Sequence, residues 1–273
     1  NENGSANRKN LGQLLRLIRL AEEQRLYLLL TGLGFYHAQD TPPWILTMGE
    51  QQRWELHARF WEIIASACRE QPAVFAYDLM NEPVLPGRSD IAEREWLLGE
   101  LAGKHFAQRL ALDAGGRDKR AIAMQWIKKI THRIRNVDDR HLITLGIIPS
   151  LAGNLLFYDP NAARPLDFTS IHLYPRPEKL ADAARIIKKY QIGKPLVISE
   201  ISPIYAGPET VADFIREHTD KTAGWYSFYW GTSVEEYREA LHAQDTTDSD
   251  TVVSALMLQW LSLFSALRLQ SQE

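Results

Sequence analysis

Short apolar runs alternate with longer amphipathic segments along most of this 273-residue chain, and this alternation restricts the fold more than any other feature. Buried parallel strands are nearly continuous apolar runs, whereas the helices between them repeat apolar residues every three to four positions. The succession is typical of βα units around a parallel sheet. Because the sequence shows no internal repeat or low-complexity linker, it predicts a single domain over residues 1–273.

The pattern predicts six strands and six helices, the first helix lying in front of the first strand. The predicted strands cover residues 26–31, 74–80, 141–148, 168–173, 195–199 and 224–229. The predicted helices cover residues 11–24, 50–69, 117–135, 178–190, 209–218 and 252–267, and Thr47 with Glu50 predicts a capping box before the second of them. A closed (β/α)₈ barrel has eight strands. The expectation is therefore an α/β fold of the TIM-barrel type that lacks its first two strands, an N-terminally truncated barrel.

Composition excludes several classes of protein. A net charge of −3 gives no electrostatic reason to expect nucleic acid or an anionic membrane as a partner, and no apolar run is long enough to span a bilayer. The single cysteine, Cys68, rules out an intramolecular disulfide framework and a cysteine-based zinc site. We expect Cys68 to be a buried, inert thiol. The sequence leaves the compartment open, a secreted or periplasmic location included.

Two glutamates stand at the carboxyl ends of predicted strands. Glu82 follows the strand 74–80, and Glu200 follows the strand 195–199. In parallel α/β barrels, groups at these strand ends converge on one cleft. Either glutamate alone fits a strand-end or capping role as well as a catalytic one. Together they favour a carboxylate pair, in which one member protonates a leaving oxygen while the other attacks or stabilises a sugar cation.

Four motifs at strand ends carry a resemblance to a known family. They are Asn-Glu-Pro at 81–83, His-Leu-Tyr at 172–174, Glu200 after Pro-Leu-Val-Ile-Ser, and Trp230 at the end of the last predicted strand. In this order the sequence resembles the clan A glycoside hydrolases, above all the cellulase-like family 5, over residues 11–267. The resemblance implies Glu82 as acid/base and Glu200 as nucleophile.

The resemblance also implies roles for the neighbours of these glutamates. Asn81 is expected to bind the sugar 2-hydroxyl, and Tyr174 to donate a hydrogen bond to Glu200. His172 is expected to orient the Glu82 side or a sugar hydroxyl, although without Tyr174 beside it a core role would be favoured. Trp230 offers an apolar face for a pyranose ring, with ordinary core packing as the alternative.

The first predicted loop adds further expected sugar contacts. His37 lies near the rim on which the family often carries a histidine, and Trp44 with Tyr36 is expected to form an aromatic subsite. Tyr205 is a lesser candidate of the same kind. Asp78, inside its strand, is expected to pair within the barrel and is given no catalytic role.

These expectations predict a retaining glycosidase that acts on a β-glucan, a β-mannan or a smaller β-glycoside and needs no metal or organic cofactor. Its partner is a carbohydrate substrate, with no nucleic acid and no membrane. The family's arginine at the end of the second strand has no counterpart in this sequence, which keeps a non-catalytic carbohydrate-binding barrel or an inactive fragment as the alternative. A metal-dependent barrel enzyme ranks lower, since the sequence has neither H-x-H nor H-E-x-x-H spacing.

Overall fold

The computed structural model of the protein describes residues 4–34, 36–37, 41–87, 95–101, 103–228, 231–242 and 248–267. The chain divides into two units. The first unit consists of Asn1–Ile147 and Ala152–Thr169, and the second of Ile148–Leu151 and Ser170–Glu273.

The first unit alternates strands with helices, as the sequence predicts. Its helices are α1 (Arg8–Glu23), α2 (Pro43–Thr47), α3 (Glu50–Cys68) and α4 (Lys119–Arg135), with a 3₁₀ turn at Leu156–Tyr158. Its strands are β1 (Leu28–Thr31), β2 (Tyr36–His37), β3 (Val74–Asp78), β4 (Pro83–Val84), β5 (Leu97–Leu98), β6 (Lys104–His105), β7 (Ala107–Arg109), β8 (Leu142–Thr144) and β9 (Gly146–Ile147).

Three parallel strands form the main sheet of this unit, in the order β1-β3-β8. The register places Thr31 opposite Asp78, and Asp78 opposite Thr144, so the carboxyl ends of the three strands are level. Gly32, immediately after β1, is required by packing: a Cβ atom there would lie 2.4 Å from the Trp61 ring. The chain segments that follow these strand ends therefore begin from a common edge.

Helices α3 and α4 pack against each other beside this sheet. Trp54, Ala58, Trp61, Ala65 and Cys68 recur every three to four residues on α3, and all five are buried. The Trp61 indole donates to the Leu79 carbonyl at 2.9 Å, just after β3. This contact ties the helix to the strand that leads into the Asn-Glu-Pro motif, and Cys68 is buried as predicted.

Two local predictions in the first unit are wrong. Helix α3 is capped by Gly49, whose N–H donates to the Gln52 side chain at 3.2 Å, while the Thr47 hydroxyl donates to the Trp44 carbonyl at 3.1 Å. Thr47 and Glu50 thus form no capping box, because α2 takes up Thr47 as its last residue. The sequence pattern predicts no strand between residues 80 and 141, yet this segment contains short strands: β7 pairs with β4 and β5, and β6 pairs with β2.

The second unit has the same alternation. Its helices are α5 (Leu180–Tyr190), α6 (Pro208–His218), α7 (Val234–His242) and α8 (Asp248–Ala266), with 3₁₀ turns at Pro177–Lys179 and Thr219–Lys221. Its strands are β10 (Thr169–His172), β11 (Leu196–Ile201) and β12 (Gly224–Ser227). Strand β11 lies between β10 and β12 and runs parallel to β12. Helix α7 is an element that the sequence pattern did not predict.

The α/β fold class is confirmed. Within the described residues, the six predicted strands correspond to β1, β3, β8 with β9, β10, β11 and β12. That these are strands three to eight of a single truncated barrel domain stays a prediction. No helix in the described part of the chain is long and apolar enough to cross a membrane.

Candidate active site

Glu82 and Asn81 lie just beyond the carboxyl end of β3, and both are buried, with 7% and 6% of their surface exposed. The Asn81 side-chain amide donates to the Phe106 carbonyl at 2.7 Å, which fixes its orientation. Glu82 has a φ of +45°, in the left-handed region that a residue with a Cβ atom rarely adopts. Backbone strain of this kind persists only where the surroundings enforce it, and it is concentrated at functional sites.

Gly146 is the group that holds the backbone of Glu82. The Glu82 N–H donates to the Gly146 carbonyl at 3.0 Å, and the Gly146 N–H donates to Asp78 Oδ1 at 2.7 Å. Asp78 is buried and also accepts a hydrogen bond from the Thr31 hydroxyl at 3.2 Å. Asp78 therefore pairs within the sheet, as the sequence predicts, and through Gly146 it also supports the position of Glu82.

Glu200 lies near the end of β11, where two side chains from the end of β10 reach its carboxylate. The Tyr174 hydroxyl donates to Glu200 Oε2 at 2.6 Å, and His172 Nδ1 lies 3.3 Å from the same oxygen. The first distance is typical of a charge-assisted O–H···O⁻ bond. A carboxylate that accepts such a bond is favoured in its ionised form.

The backbone and one aromatic ring hold this cluster together. The Leu173 N–H donates to the Glu200 carbonyl at 2.9 Å, which brings the two strand ends into register. The ring of Phe228, which follows β12, packs edge-on against Tyr174 with the ring centroids 6.3 Å apart. All three strands of the second unit thus contribute to the placement of the Glu200 carboxylate.

Within the second unit, the described contact of His172 is with Glu200. The expected role of this histidine in orienting the Glu82 side or a sugar hydroxyl stays a prediction. The His172 side chain is 2% exposed and that of Glu200 is 17% exposed. Such burial suits a residue that positions a carboxylate.

The remaining predicted sugar contacts are described less fully. Trp44, in α2, lines a cavity of about 440 Å³ in the first unit together with Leu14, Phe60, Arg53 and other residues of α1 and α3. Its role as a sugar contact stays a prediction.

His37 belongs to the two-residue strand β2, which pairs with β6, and its side chain lies outside the described residues. Trp230 lies outside the described residues altogether.

The predicted residues are divided between the two units. Asn81 and Glu82 belong to the first unit, whereas His172, Tyr174 and Glu200 belong to the second. The pairing of the two carboxylates stays a prediction. Sequence reasoning missed the supporting roles of Gly146, Phe106 and Phe228, since backbone acceptors and packing rings leave no motif.

No protein-family model matches the chain. Among curated proteins it is similar to mannan endo-1,4-beta-mannosidase 4 of Solanum lycopersicum, with 22% identity over 121 residues. That alignment covers 40% of this chain and 23% of the tomato protein, so it spans about a quarter of the relative's length.

Solved structures resemble the protein over a larger part of the chain. The catalytic domain of Thermobifida fusca endoglucanase Cel5A has a TM-score of 0.55 at 15% identity and covers 97% of this chain and 76% of its own. The match with the β-mannanase of Mytilus edulis has a TM-score of 0.53 at 13% identity, and it covers 92% of this chain and 71% of the mannanase chain.

Endo-glycoceramidase II of Rhodococcus sp. has a TM-score of 0.54 at 14% identity, and the match covers 84% of this chain and 62% of that one. At these identities the likeness shows the fold alone. The resemblance to cellulase-like clan A glycoside hydrolases that the strand-end motifs imply is thereby confirmed at the level of the fold.

Proposed function

We propose that the protein is a retaining glycoside hydrolase that cleaves β-glycosidic bonds by double displacement, with Glu200 as nucleophile and Glu82 as acid/base. The observation that carries the proposal is the 2.6 Å hydrogen bond from the Tyr174 hydroxyl to Glu200 Oε2. It keeps one strand-end carboxylate ionised and aimed, as a nucleophile must be. The strained backbone of Glu82 at the end of another parallel strand supplies the second carboxyl group.

In the first step, a carboxylate oxygen of Glu200 bonds to the anomeric carbon while the glycosidic C–O bond breaks. The proton of the Glu82 carboxyl group moves to the departing oxygen. In the second step, Glu82 takes a proton from water, the water oxygen bonds to the anomeric carbon, and the ester bond to Glu200 breaks. The sugar leaves with its original configuration, and both carboxyl groups return to their starting states.

The comparisons favour a β-linked mannan or glucan as the substrate, with a smaller β-glycoside as the alternative. The similar proteins are named as an endo-1,4-beta-mannosidase, a β-mannanase and an endoglucanase. The Rhodococcus enzyme was solved as a lactosyl-enzyme intermediate, which is the kind of covalent species that double displacement forms. Asn81 is proposed to bind the sugar 2-hydroxyl.

The first experiment compares the chain with its Glu200→Ala and Glu82→Ala variants on aryl β-glucosides, aryl β-mannosides and soluble β-glucans and β-mannans. We expect each substitution to lower kcat by at least about 10³-fold, because each removes a group that acts only in the transition state. Glu217→Ala, at an exposed position on α6, is the matched control and should keep full activity. Addition of EDTA should leave hydrolysis unchanged.

Azide then assigns the two roles. In Glu200→Ala it can take the place of the missing nucleophile, which yields an α-glycosyl azide from a β-glycoside. In Glu82→Ala it attacks the glycosyl-enzyme and yields the β-glycosyl azide. Full activity of Glu200→Ala would contradict the proposal, and binding of the sugars without any hydrolysis would instead favour a non-catalytic carbohydrate-binding protein.

A further inference from the structure

An arginine and a tyrosine stack at the carboxyl end of the second unit's sheet. The Arg176 guanidinium carbon lies 4.1 Å from the centroid of the Tyr205 ring. Both side chains face solvent, and Tyr205 with its neighbour Ile204 is more than half exposed. A guanidinium on an aromatic face keeps its N–H groups at the edge of the stack, where they are accessible to a ligand.

Arg176 differs from the other described arginines of the second unit. Arg185, Arg216 and Arg238 each form an ion pair with an acidic residue three positions earlier on the same helix. Arg176 has leucine at that position and, within the described residues, forms neither an ion pair nor a side-chain hydrogen bond. The Tyr205 ring holds its positive charge in place, and no acidic residue in the described ranges neutralises that charge.

The stack is close to the proposed nucleophile along both chain segments that carry it. Arg176 is two residues beyond Tyr174, so their Cα atoms are at most about 7 Å apart. Tyr205 lies five residues beyond Glu200 in the loop after β11. The stack is thus carried by the two loops that follow the strand ends of Tyr174 and Glu200, at the edge of the sheet where the proposed substrate binds.

We propose that Arg176, held on Tyr205, binds an anionic group of the substrate, so that the natural substrate is a β-glycan whose sugar units carry a carboxylate or a sulfate. A carboxylate matches the planar fork of a guanidinium with two parallel hydrogen bonds, and a sulfate presents the same arrangement of oxygens. This inference rests on the proposed function, since it assigns a subsite to the same cleft. Arg176 would act in specificity and take no part in bond cleavage.

The test compares each neutral polymer with its C6-oxidised and its sulfated derivative. For the unmodified chain we expect kcat/KM on at least one acidic derivative to exceed that on its neutral parent. Arg176→Gln should lower the acidic-to-neutral ratio about tenfold or more, mainly through KM, and Arg176→Lys should lower it less. Tyr205→Leu should lower the ratio because the support is lost, whereas Tyr205→Phe keeps the ring and should preserve it.

Arg185→Gln removes an exposed, ion-paired arginine from the same unit and is the matched control, expected to leave the ratio unchanged. An unchanged ratio in Arg176→Gln would overturn the inference while leaving the glycosidase proposal intact. If no polymer is hydrolysed, the proposed function fails. Calorimetric affinities for acidic and neutral oligosaccharides then test separately whether Arg176 binds an anionic group. Equal affinities, or a preference for the acidic sugars that Arg176→Gln retains, would also overturn the inference about Arg176.

Discussion

Tyr174 is the residue whose hydroxyl makes the shortest described contact with the proposed nucleophile. Its oxygen lies 2.6 Å from Glu200 Oε2, and its ring is held by Phe228. Hydrogen bonds to a charged group contribute about 1.5–3 kcal/mol. Part of that stabilisation is lost as the carboxylate gives up its charge to the glycosyl ester, so the main effect of Tyr174 is to keep the attacking carboxylate ionised and in one orientation.

Replacement of Tyr174 by phenylalanine removes the hydroxyl and keeps the ring. We expect kcat/KM to fall by up to roughly 10-fold, less than the full 1.5–3 kcal/mol of the hydrogen bond would give, because part of that bond is lost as the carboxylate gives up its charge. The acidic limb of the pH–rate profile should move to higher pH, because ionised Glu200 loses a hydrogen bond. Tyr190→Phe, which removes a hydroxyl at the end of α5, is the control. An unchanged acidic limb in Tyr174→Phe would show that the hydroxyl does not act through the charge of Glu200.

The position of Glu82 is fixed through its backbone, which has a strained conformation. A residue in the left-handed region costs of the order of 1–3 kcal/mol, which the surrounding contacts must offset. Here the N–H of Glu82 is fixed on the Gly146 carbonyl, and the neighbouring Asn81 amide is fixed on Phe106. The strained conformation is thus held by hydrogen bonds that Glu82 and Asn81 donate to two other segments of the first unit.

At the scale of elements, Asp78 joins the segments that support Glu82. Its two oxygens accept from Thr31, at the end of β1, and from the Gly146 N–H, at the start of β9. A carboxylate accepts at both positions, whereas an amide side chain presents one acceptor and one donor. The identity of this residue therefore determines whether both contacts can form.

Asp78→Asn should lower the free energy of unfolding by about 1–3 kcal/mol, because one buried donor loses its acceptor. Since Gly146 also holds Glu82, kcat should fall while KM changes little. Denaturant titration and steady-state kinetics measure the two effects. Thr31→Val removes only the more exposed contact and should cost less than about 1 kcal/mol. A loss of stability with unchanged kcat would show that Asp78 has no part in placing Glu82.

The elements also show how far the sequence could predict this structure. The six strands and most helices follow from hydrophobic periodicity, because buried strands such as β3 and amphipathic helices such as α5 differ in period. The capping of α3 was mispredicted, since a short helix at Pro43–Thr47 takes up the residue that the pattern assigned to the cap. Strands β2 and β4 to β7 were missed because two- and three-residue strands have no measurable period.

The same limits apply to the candidate site. Glu82, Glu200 and Tyr174 were proposed as site residues from motifs at strand ends, and the Tyr174–Glu200 contact was predicted from the family resemblance. The contact of His172 with Glu200 was not predicted, since it depends on the register of β10 and β11. The stack of Arg176 on Tyr205 joins residues 29 positions apart in two loops, and no local pattern indicates such a pair.

At the scale of the whole molecule, stability toward acid depends on groups far from the catalytic residues. His57 on α3 is buried and accepts a hydrogen bond from the Trp126 indole at 3.2 Å. Burial, together with the positive charge of Arg53, lowers the pKa of His57 to about 3, although a hydrogen bond with Gln108 opposes the shift. The pKa of Asp138 is also lowered: burial raises it, but hydrogen bonds from Tyr77 and two backbone N–H groups outweigh that effect.

The direction of the pH dependence follows from these shifts. Above pH 6.5, the ordinary pKa of histidine, His57 is neutral in the folded and unfolded states and has no effect on stability. Below pH 6.5 the unfolded chain binds a proton that the folded chain rejects until the pH approaches 3, so the free energy of unfolding falls. Asp138 contributes stability above its ordinary pKa of 3.8, and this contribution is lost as the pH falls through its lower folded value. Between pH 6.5 and 4, His57 therefore changes the free energy of unfolding more than Asp138 does.

We expect His57→Gln, which keeps an acceptor for Trp126 but does not titrate, to flatten the dependence of stability on pH. At 1.36 kcal/mol per pKa unit, His57 destabilises the folded chain by roughly 3 kcal/mol at pH 4 relative to pH 7. The difference in the free energy of unfolding between the unmodified chain and His57→Gln should therefore shrink by about that amount as the pH falls from 7 to 4. Denaturant titrations at intervals across this range measure it, with His132→Gln, at an exposed position on α4, as the control. If the curves of the unmodified chain and His57→Gln run parallel, acid sensitivity must come from other groups, and the neutral, buried state assigned to His57 would be wrong.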